Sequence, residues 1–278
     1  MTTLAPSPLG PVDGTLDHAA RAAAERPLLG WAAHDARTMI GRSLRRSVRE
    51  PDTLIMAVAL PVVIMLLFVT VFGGEIDTGM AYVDFVVPGI ILLCAGYGAS
   101  TTAVAVASDV TGDIMSRFRS LPVRLSSVLT GHVVASLARN AVSTALVVGV
   151  AFLLGFRPSA GPGEWLLVVA LLAAYVLALT WLAVCVGVVA SSPEAASGFS
   201  FGIMFLPYVS SAFVRPETMP AALEWFARYQ PVTPVTDTLR AALVGMPGGD
   251  ALVAFAWCAG FFVVARALAG RLFRRRTV

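Results

Sequence analysis

The 278-residue sequence predicts an all-α membrane protein with six transmembrane helices. Three observations carry that reading. Six long apolar stretches lie at about 54–73, 82–107, 128–156, 165–190, 196–214 and 251–270; the hydrocarbon core is roughly 30 Å thick and a helix rises about 1.5 Å per residue, so about 20 residues cross it. Hydrophobic residues make up 57% of the chain and charged residues 13%, against about 25% charged in a soluble domain. Arginines cluster in alternate connections. In lipid the backbone must satisfy its own hydrogen bonds, so apolar runs of this length are helical.

Residues 1–27, rich in Ala and Pro, read as a flexible N-terminal tail. No cleavable signal peptide is expected, because the first apolar run begins near Leu54. An amphipathic helix is expected over 28–50: Leu28, Ala32, Ala36, Ile40, Leu44 and Val48 repeat every four positions, opposite Arg37, Arg42, Arg45, Arg46 and Arg49, with Trp31 near its start. An apolar stripe facing arginines suits a helix lying in the membrane interface. Pro51 marks its end.

Residues 51–278 hold the six spans. The connection 74–81 has Glu75 and Asp77 and no Arg, whereas 108–127 has Arg117, Arg119 and Arg124, the third connection only Arg157, and the tail Arg271, Arg274, Arg275 and Arg276. Counted near the span ends, this bias puts both termini in the cytoplasm. Arg215, Arg228 and Arg240 break the pattern in the long outer loop, each with an acidic neighbour in Glu217, Glu224 or Asp237. Arg139 is expected to reach a membrane boundary and snorkel, as is Arg266.

Two segments are not spans. Residues 113–122 set Asp113, Arg117 and Arg119 against Ile114, Met115, Phe118 and Leu121 and stop at Pro122. The pattern fits a short cytoplasmic helix that either docks a soluble partner or folds back on the bilayer or the protein. In the outer loop, about 215–247, a short helix is expected at 218–229, with Pro220 in its first turn and Trp225, Phe226 and Tyr229 at headgroup level. The sequence leaves open whether it is re-entrant or interfacial.

The chemistry missing from the chain narrows its function. All twenty basic residues are Arg, so no P-loop lysine exists. There is no HExxH among His18, His34 and His132, no G-x-S-x-G elbow, and no Cys or His at metal-ligand spacing near Cys94, Cys185 or Cys258, which read as buried small hydrophobes. Acidic residues in the spans are confined to their edges, at Asp84 and Asp109, whereas ion-driven carriers place ionisable sites at the midplane. The arginines flank spans rather than forming a nucleic-acid surface, so no nucleic-acid partner is expected. The composition, Arg-only and rich in Ala, Val and Gly, suits a GC-rich bacterial genome.

The segments Tyr82-Val83-Asp84-Phe85-Val86-Val87-Pro88-Gly89-Ile90, Arg117-Phe118-Arg119-Ser120-Leu121-Pro122-Val123-Arg124 with Val128-Leu129-Thr130-Gly131, Leu154-Gly155-Phe156-Arg157-Pro158 and Gln230-Pro231-Val232-Thr233-Pro234-Val235-Thr236-Asp237-Thr238-Leu239-Arg240 follow one another in an order that resembles the ABC-2-type permeases, and within them the daunorubicin-resistance type of drug-export permease. The resemblance covers nearly everything from residue 30 onward. It implies a separate ABC ATPase partner, which would hold the ATP and Mg²⁺, with no cofactor in this chain. It implies a second permease subunit, as a homodimer or a paralogous heterodimer, in a bacterial inner membrane. The 113–122 segment becomes a coupling helix (Asp113, Met115, Arg117, Phe118, Arg119, Leu121, Pro122) that fits a groove on the ATPase, and 28–50 a connecting helix (Trp31, Arg37, Arg42, Arg45, Arg49). Spans two and five would line the path of a hydrophobic or amphipathic substrate drawn from membrane lipid, through Tyr97, Phe199, Phe201, Met204, Phe205 and Tyr208, with a bend at Pro207. The competing readings are export of a lipid-linked glycan or other envelope precursor, and a membrane scaffold or sensor that transports nothing.

Overall fold

A computed structural model describes residues 51–74, 79–112 and 125–277. The expected tail, the 28–50 helix and the 113–122 helix lie outside the described residues. Within them every regular element is a helix. Helix α1 (Pro51–Leu67) runs on into a π-helical turn, Phe68–Phe72. Then come α2 (Tyr82–Thr111), α3 (Leu125–Leu153), α4 (Pro162–Val189) and α5 (Pro193–Phe205), the last followed by a 3₁₀ turn at Leu206–Val209. A 3₁₀ turn at Pro216–Thr218, α6 (Ala221–Tyr229), α7 (Val232–Val244) and α8 (Ala251–Thr277) complete the order.

Among the described residues five stretches are long and apolar enough to cross a membrane: Ile55–Phe72, Tyr82–Thr111, Leu129–Leu153, Pro162–Val189 and Ala251–Leu272. The stretch 196–214, expected as a single span, is built differently. It is a 13-residue helix that gives way to the 3₁₀ turn and then to non-helical chain. Pro207 has no N–H to continue the ladder.

Side-chain ties fix how the long helices stand. Asp109 near the end of α2 meets His132 near the start of α3 at 3.1 Å, and Asp84 near the start of α2 accepts from the Arg157 backbone N–H beyond α3 at 3.0 Å. These helices are therefore antiparallel, and the two acidic residues of α2 bind the neighbouring chain at its two ends. α4 and α8 are parallel: Trp181 faces Phe262 edge-on, and Cys185 Sγ donates to the Ala265 carbonyl at 3.0 Å. The end holding 79–81, 154–161 and 206–250 is called the cap end below.

α2 is the central helix. Of its most apolar stretch 72% is buried, against 17% for α1 and for α8. Its packing depends on small residues. A Cβ on Gly187 would lie 2.6 Å from the Ala103 carbonyl, so glycine lets α4 reach the backbone of α2. Large apolar side chains such as Leu153, Leu166, Leu252 and Val264 point away from the protein, an arrangement suited to lipid as solvent. The three cysteines are free and buried.

The middle of the bundle is less dry than the hydropathy suggested. Thr102, Ser136, Asn140, Ser143 and Thr180 are all buried there. Ser136 and Thr180 share a 3.1 Å hydrogen bond between α3 and α4. Arg139, expected to snorkel, turns far enough inward to donate to Thr102 Oγ1 at 3.1 Å. The Arg266 guanidinium lies 5.3 Å over the Trp181 ring, held by protein rather than by a boundary alone.

Candidate functional site

The 3₁₀ turn Leu206–Val209 and the non-helical chain after it leave carbonyls with no helical partner, and such groups must be satisfied inside the protein when water is absent. The cap supplies the donors. Gln230 Nε2 donates to the Leu206 and Val209 carbonyls at 3.3 and 2.6 Å. Arg240 Nη2 donates to those of Ser211 and Ala212 at 2.8 and 3.3 Å, and the Tyr82 hydroxyl to that of Phe213 at 3.1 Å. Five carbonyls of the 206–213 segment are thus collected by three side chains, Tyr82 of α2, Arg240 of α7 and Gln230 in the link between α6 and α7.

Arg240 does more than this. Its Nε and Nη2 donate to the Phe85 carbonyl at 3.2 and 3.1 Å, its Nη1 to Asp237 at 3.1 Å, and its guanidinium carbon sits 3.9 Å over the Phe85 ring. Arg240 is 4% exposed. Burial pulls its pKa down to about 10, opposed by Asp237, so it remains a cation at neutral pH. Asp237 accepts from the Ser211 hydroxyl at 2.7 Å. Burial pushes its carboxyl above the ordinary range, against the pull of Ser211 and Arg240. α2 and the passage also touch directly, since a Cβ on Gly89 would fall 2.6 Å from the Ala212 Cβ. A cavity of about 560 Å³ opens above, between Arg215, Glu217, Arg228, Asp237 and Arg240. Arg228 pairs with Glu224 and Glu217 on the exposed side, so the expected acidic company of Arg228 and Arg240 is in place.

α7 was not expected as a helix, because Pro231 and Pro234 crowd its start. Both stand at or near the first turn, where a missing N–H costs little. The sequence did carry a signal for Arg240. Val232, Val235, Thr236, Leu239, Arg240 and Leu243 fall at helical spacing on one face, and all are buried. At the other end of α7, Gly245 has φ +69, a left-handed helix stop that glycine allows.

The expected path residues divide. Phe201, Phe205 and Tyr208 come together in one row, with ring centroids 6.5 Å apart and then 5.6 Å. The row goes on through residues not expected in it: Tyr208 stacks on Phe213 at 5.2 Å, Phe213 on Phe68 at 4.6 Å, and Phe68 meets Phe72 at 5.4 Å. It starts half-exposed, at 51% for Phe201 and 54% for Phe205, and becomes buried at Phe213. Met204 instead packs on α2, where a Cβ on Gly96 would lie 3.5 Å from the Met204 Cα. Tyr97 is half-buried on α2 and, among the described residues, joins no ring pair. The Phe199 side chain lies outside what the structure describes. On α6, Trp225, Phe226 and Tyr229 are exposed, and the rings of Trp225 and Tyr229 are 5.6 Å apart.

Comparison with known proteins agrees with the geometry. The model of the ABC-2 type transporter family matches residues 34–244. The chain is 29% identical over 269 residues, 96% of its length and 95% of the relative's, to a daunorubicin resistance ABC transporter permease protein, DrrB1, of Streptomyces coeruleorubidus. It is 24% identical over 226 residues, 80% of its length and 82% of the relative's, to a probable doxorubicin resistance ABC transporter permease protein, DrrC, of Mycobacterium tuberculosis.

Proposed function

The chain belongs to the ABC-2 type transporter family, and from that premise we propose that it is the membrane subunit of an ATP-driven exporter of hydrophobic or amphipathic molecules. Permeases of this family work with a separate ABC ATPase subunit. ATP and Mg²⁺ would be held by that partner, and its closure would be passed to the chain through the 113–122 helix. The permease would then rock between inward- and outward-open states, and substrate could bias that equilibrium only by its differential affinity for the two. A second permease subunit would complete the path in the bacterial inner membrane, with both termini of this chain cytoplasmic.

The observation that supports this reading is the aromatic row that runs from α5 through the 206–213 segment to the end of α1. Two half-exposed Phe rings lead into a buried stack beside α2. Flat apolar faces suit bulky ring compounds of varied shape. The relatives named for daunorubicin and doxorubicin resistance make an anthracycline the first substrate to try.

The test is ATP-dependent uptake of doxorubicin into everted vesicles carrying the chain and its ATPase. Changing Phe118 and Arg119 together to Ala should abolish uptake while the protein still inserts and reaches wild-type amounts. Full uptake by that variant would remove the coupling role of the 113–122 helix.

A further inference from the structure

The charged cavity of about 560 Å³ at the cap end has no part in the function proposed above. Its volume falls within the range of about 300–1,000 Å³ common for small-ligand sites. The guanidinium groups of Arg215, Arg228 and Arg240 line it, against the carboxyl groups of Glu217 and Asp237. The lining therefore carries an excess of positive charge. The cations also act on one another. Burial depresses the Arg240 pKa most and Asp237 opposes it, but the charge of Arg215 depresses it further. Two of the three arginines are fixed by the fold, Arg240 by the Phe85 and Ser211 carbonyls and Arg228 by Glu224 and Glu217. Such a lining is organised before a ligand arrives.

The depth of the cavity follows from the helices around it. Each of the five apolar stretches has one end beside the cap, at Phe72, Tyr82, Leu153, Pro162 and Ala251. A cavity at that level lies where hydrocarbon gives way to headgroups. Tyr229 lines it, and its ring is 5.6 Å from that of Trp225. Trp225, Phe226 and Leu223 are exposed beside it on α6, and aromatic rings of this kind collect at headgroup level. An electropositive cavity flanked by exposed apolar side chains is complementary to a molecule with an anionic head and hydrocarbon tails.

We propose that the cap cavity binds the headgroup of an anionic phospholipid, one whose phosphodiester carries free hydroxyls, as phosphoglycerol does. The phosphate lies against Arg215 and Arg228, because a guanidinium fork suits phosphate oxygens. The hydroxyls donate to Glu217 and Asp237, and the acyl chains run along Trp225 and Phe226. The negative headgroup offsets the excess cation of the lining, which a zwitterionic headgroup leaves unbalanced. The site is separate from the aromatic row and does not depend on the transport reading.

The test is thermal unfolding of the delipidated full-length chain in a neutral detergent. It is titrated with dioctanoyl phosphatidylglycerol, with dioctanoyl phosphatidylcholine, and with glycerol 3-phosphate, which has the phosphate and hydroxyls without the chains. A ligand of the folded state raises the unfolding midpoint according to its affinity. Phosphatidylglycerol should do so at concentrations about tenfold lower than either of the others. The double variant Arg215→Gln, Arg228→Gln should need at least about tenfold more phosphatidylglycerol for the same rise. Both side chains are exposed, so the midpoint of that variant without lipid should stay near wild type. Arg271→Gln, at the opposite end of α8, should respond to phosphatidylglycerol as wild type does. Native mass spectrometry of the same samples should find phosphatidylglycerol retained by wild type and by Arg271→Gln, and lost from the double variant. Equal potency of phosphatidylglycerol and either other ligand, a double variant that responds like wild type, or an equal loss in Arg271→Gln would overturn the proposal.

Discussion

Arg240 has acceptors for its donors in three places: Phe85 on α2, Ser211 and Ala212 in the broken passage, and Asp237 on its own helix. Removing one partner of a buried charged cluster costs about 3–5 kcal/mol, since the rest is left unpaired. Arg240→Ala should therefore lower the thermal unfolding midpoint sharply, and Arg240→Lys should rescue little, because an ammonium cannot spread its donors as a planar fork does. Arg228→Ala, which breaks only the exposed pairs with Glu224 and Glu217, should cost about 0.5 kcal/mol or less. Similar losses for Arg240→Ala and Arg228→Ala would refute the clamp. Asp237 adds a pH signature. Burial raises its folded pKa, so the folded state holds that proton more tightly than the unfolded chain does. Its contribution to stability is complete below the ordinary aspartate value of about 3.9 and is lost as pH rises through the folded value. The unfolding midpoint of wild type relative to Asp237→Asn should thus fall from about pH 4 towards neutrality; a rise would contradict the burial argument.

The element that matters most is the 193–214 segment, where α2 meets a helix that ends early. Gly89 shows how close the two are. On helix propensity alone Gly→Ala gains about 1 kcal/mol. Here the added Cβ would meet the Cβ, carbonyl and Cα of Ala212 at 2.6, 3.1 and 3.2 Å, and overpacking of this kind costs about 1–3 kcal/mol. Gly89→Ala should destabilise the protein in thermal unfolding; a stabilised variant would mean that the passage can move aside. The long helices were legible from the sequence because length and hydropathy suffice in lipid. The break was legible only as Pro207, and the reason it is tolerated was not. The donors that collect its carbonyls, Gln230 and Arg240, lie some twenty to thirty residues away in a segment whose prolines hid a helix. Of the residues expected along the path, Phe201, Phe205 and Tyr208 were candidates because aromatics gather in one apolar segment, and their rings stand in one row. Phe68 and Phe213 were not, because stacking between separate elements leaves no local pattern.

At the scale of the whole molecule, the described chain is an apolar helical body with a hydrogen-bonded cap at one end and α2 at its centre. In the function proposed for it, this body is a gate driven by a partner's nucleotide cycle. That claim is tested most directly by reconstituting the purified chain in liposomes, with and without an ABC ATPase subunit, and following uphill movement of a fluorescent amphiphile on addition of ATP and Mg²⁺. The account predicts accumulation only when both subunits are present, and neither accumulation nor nucleotide turnover by the chain alone. ATP-driven accumulation by the chain without the ATPase would contradict it.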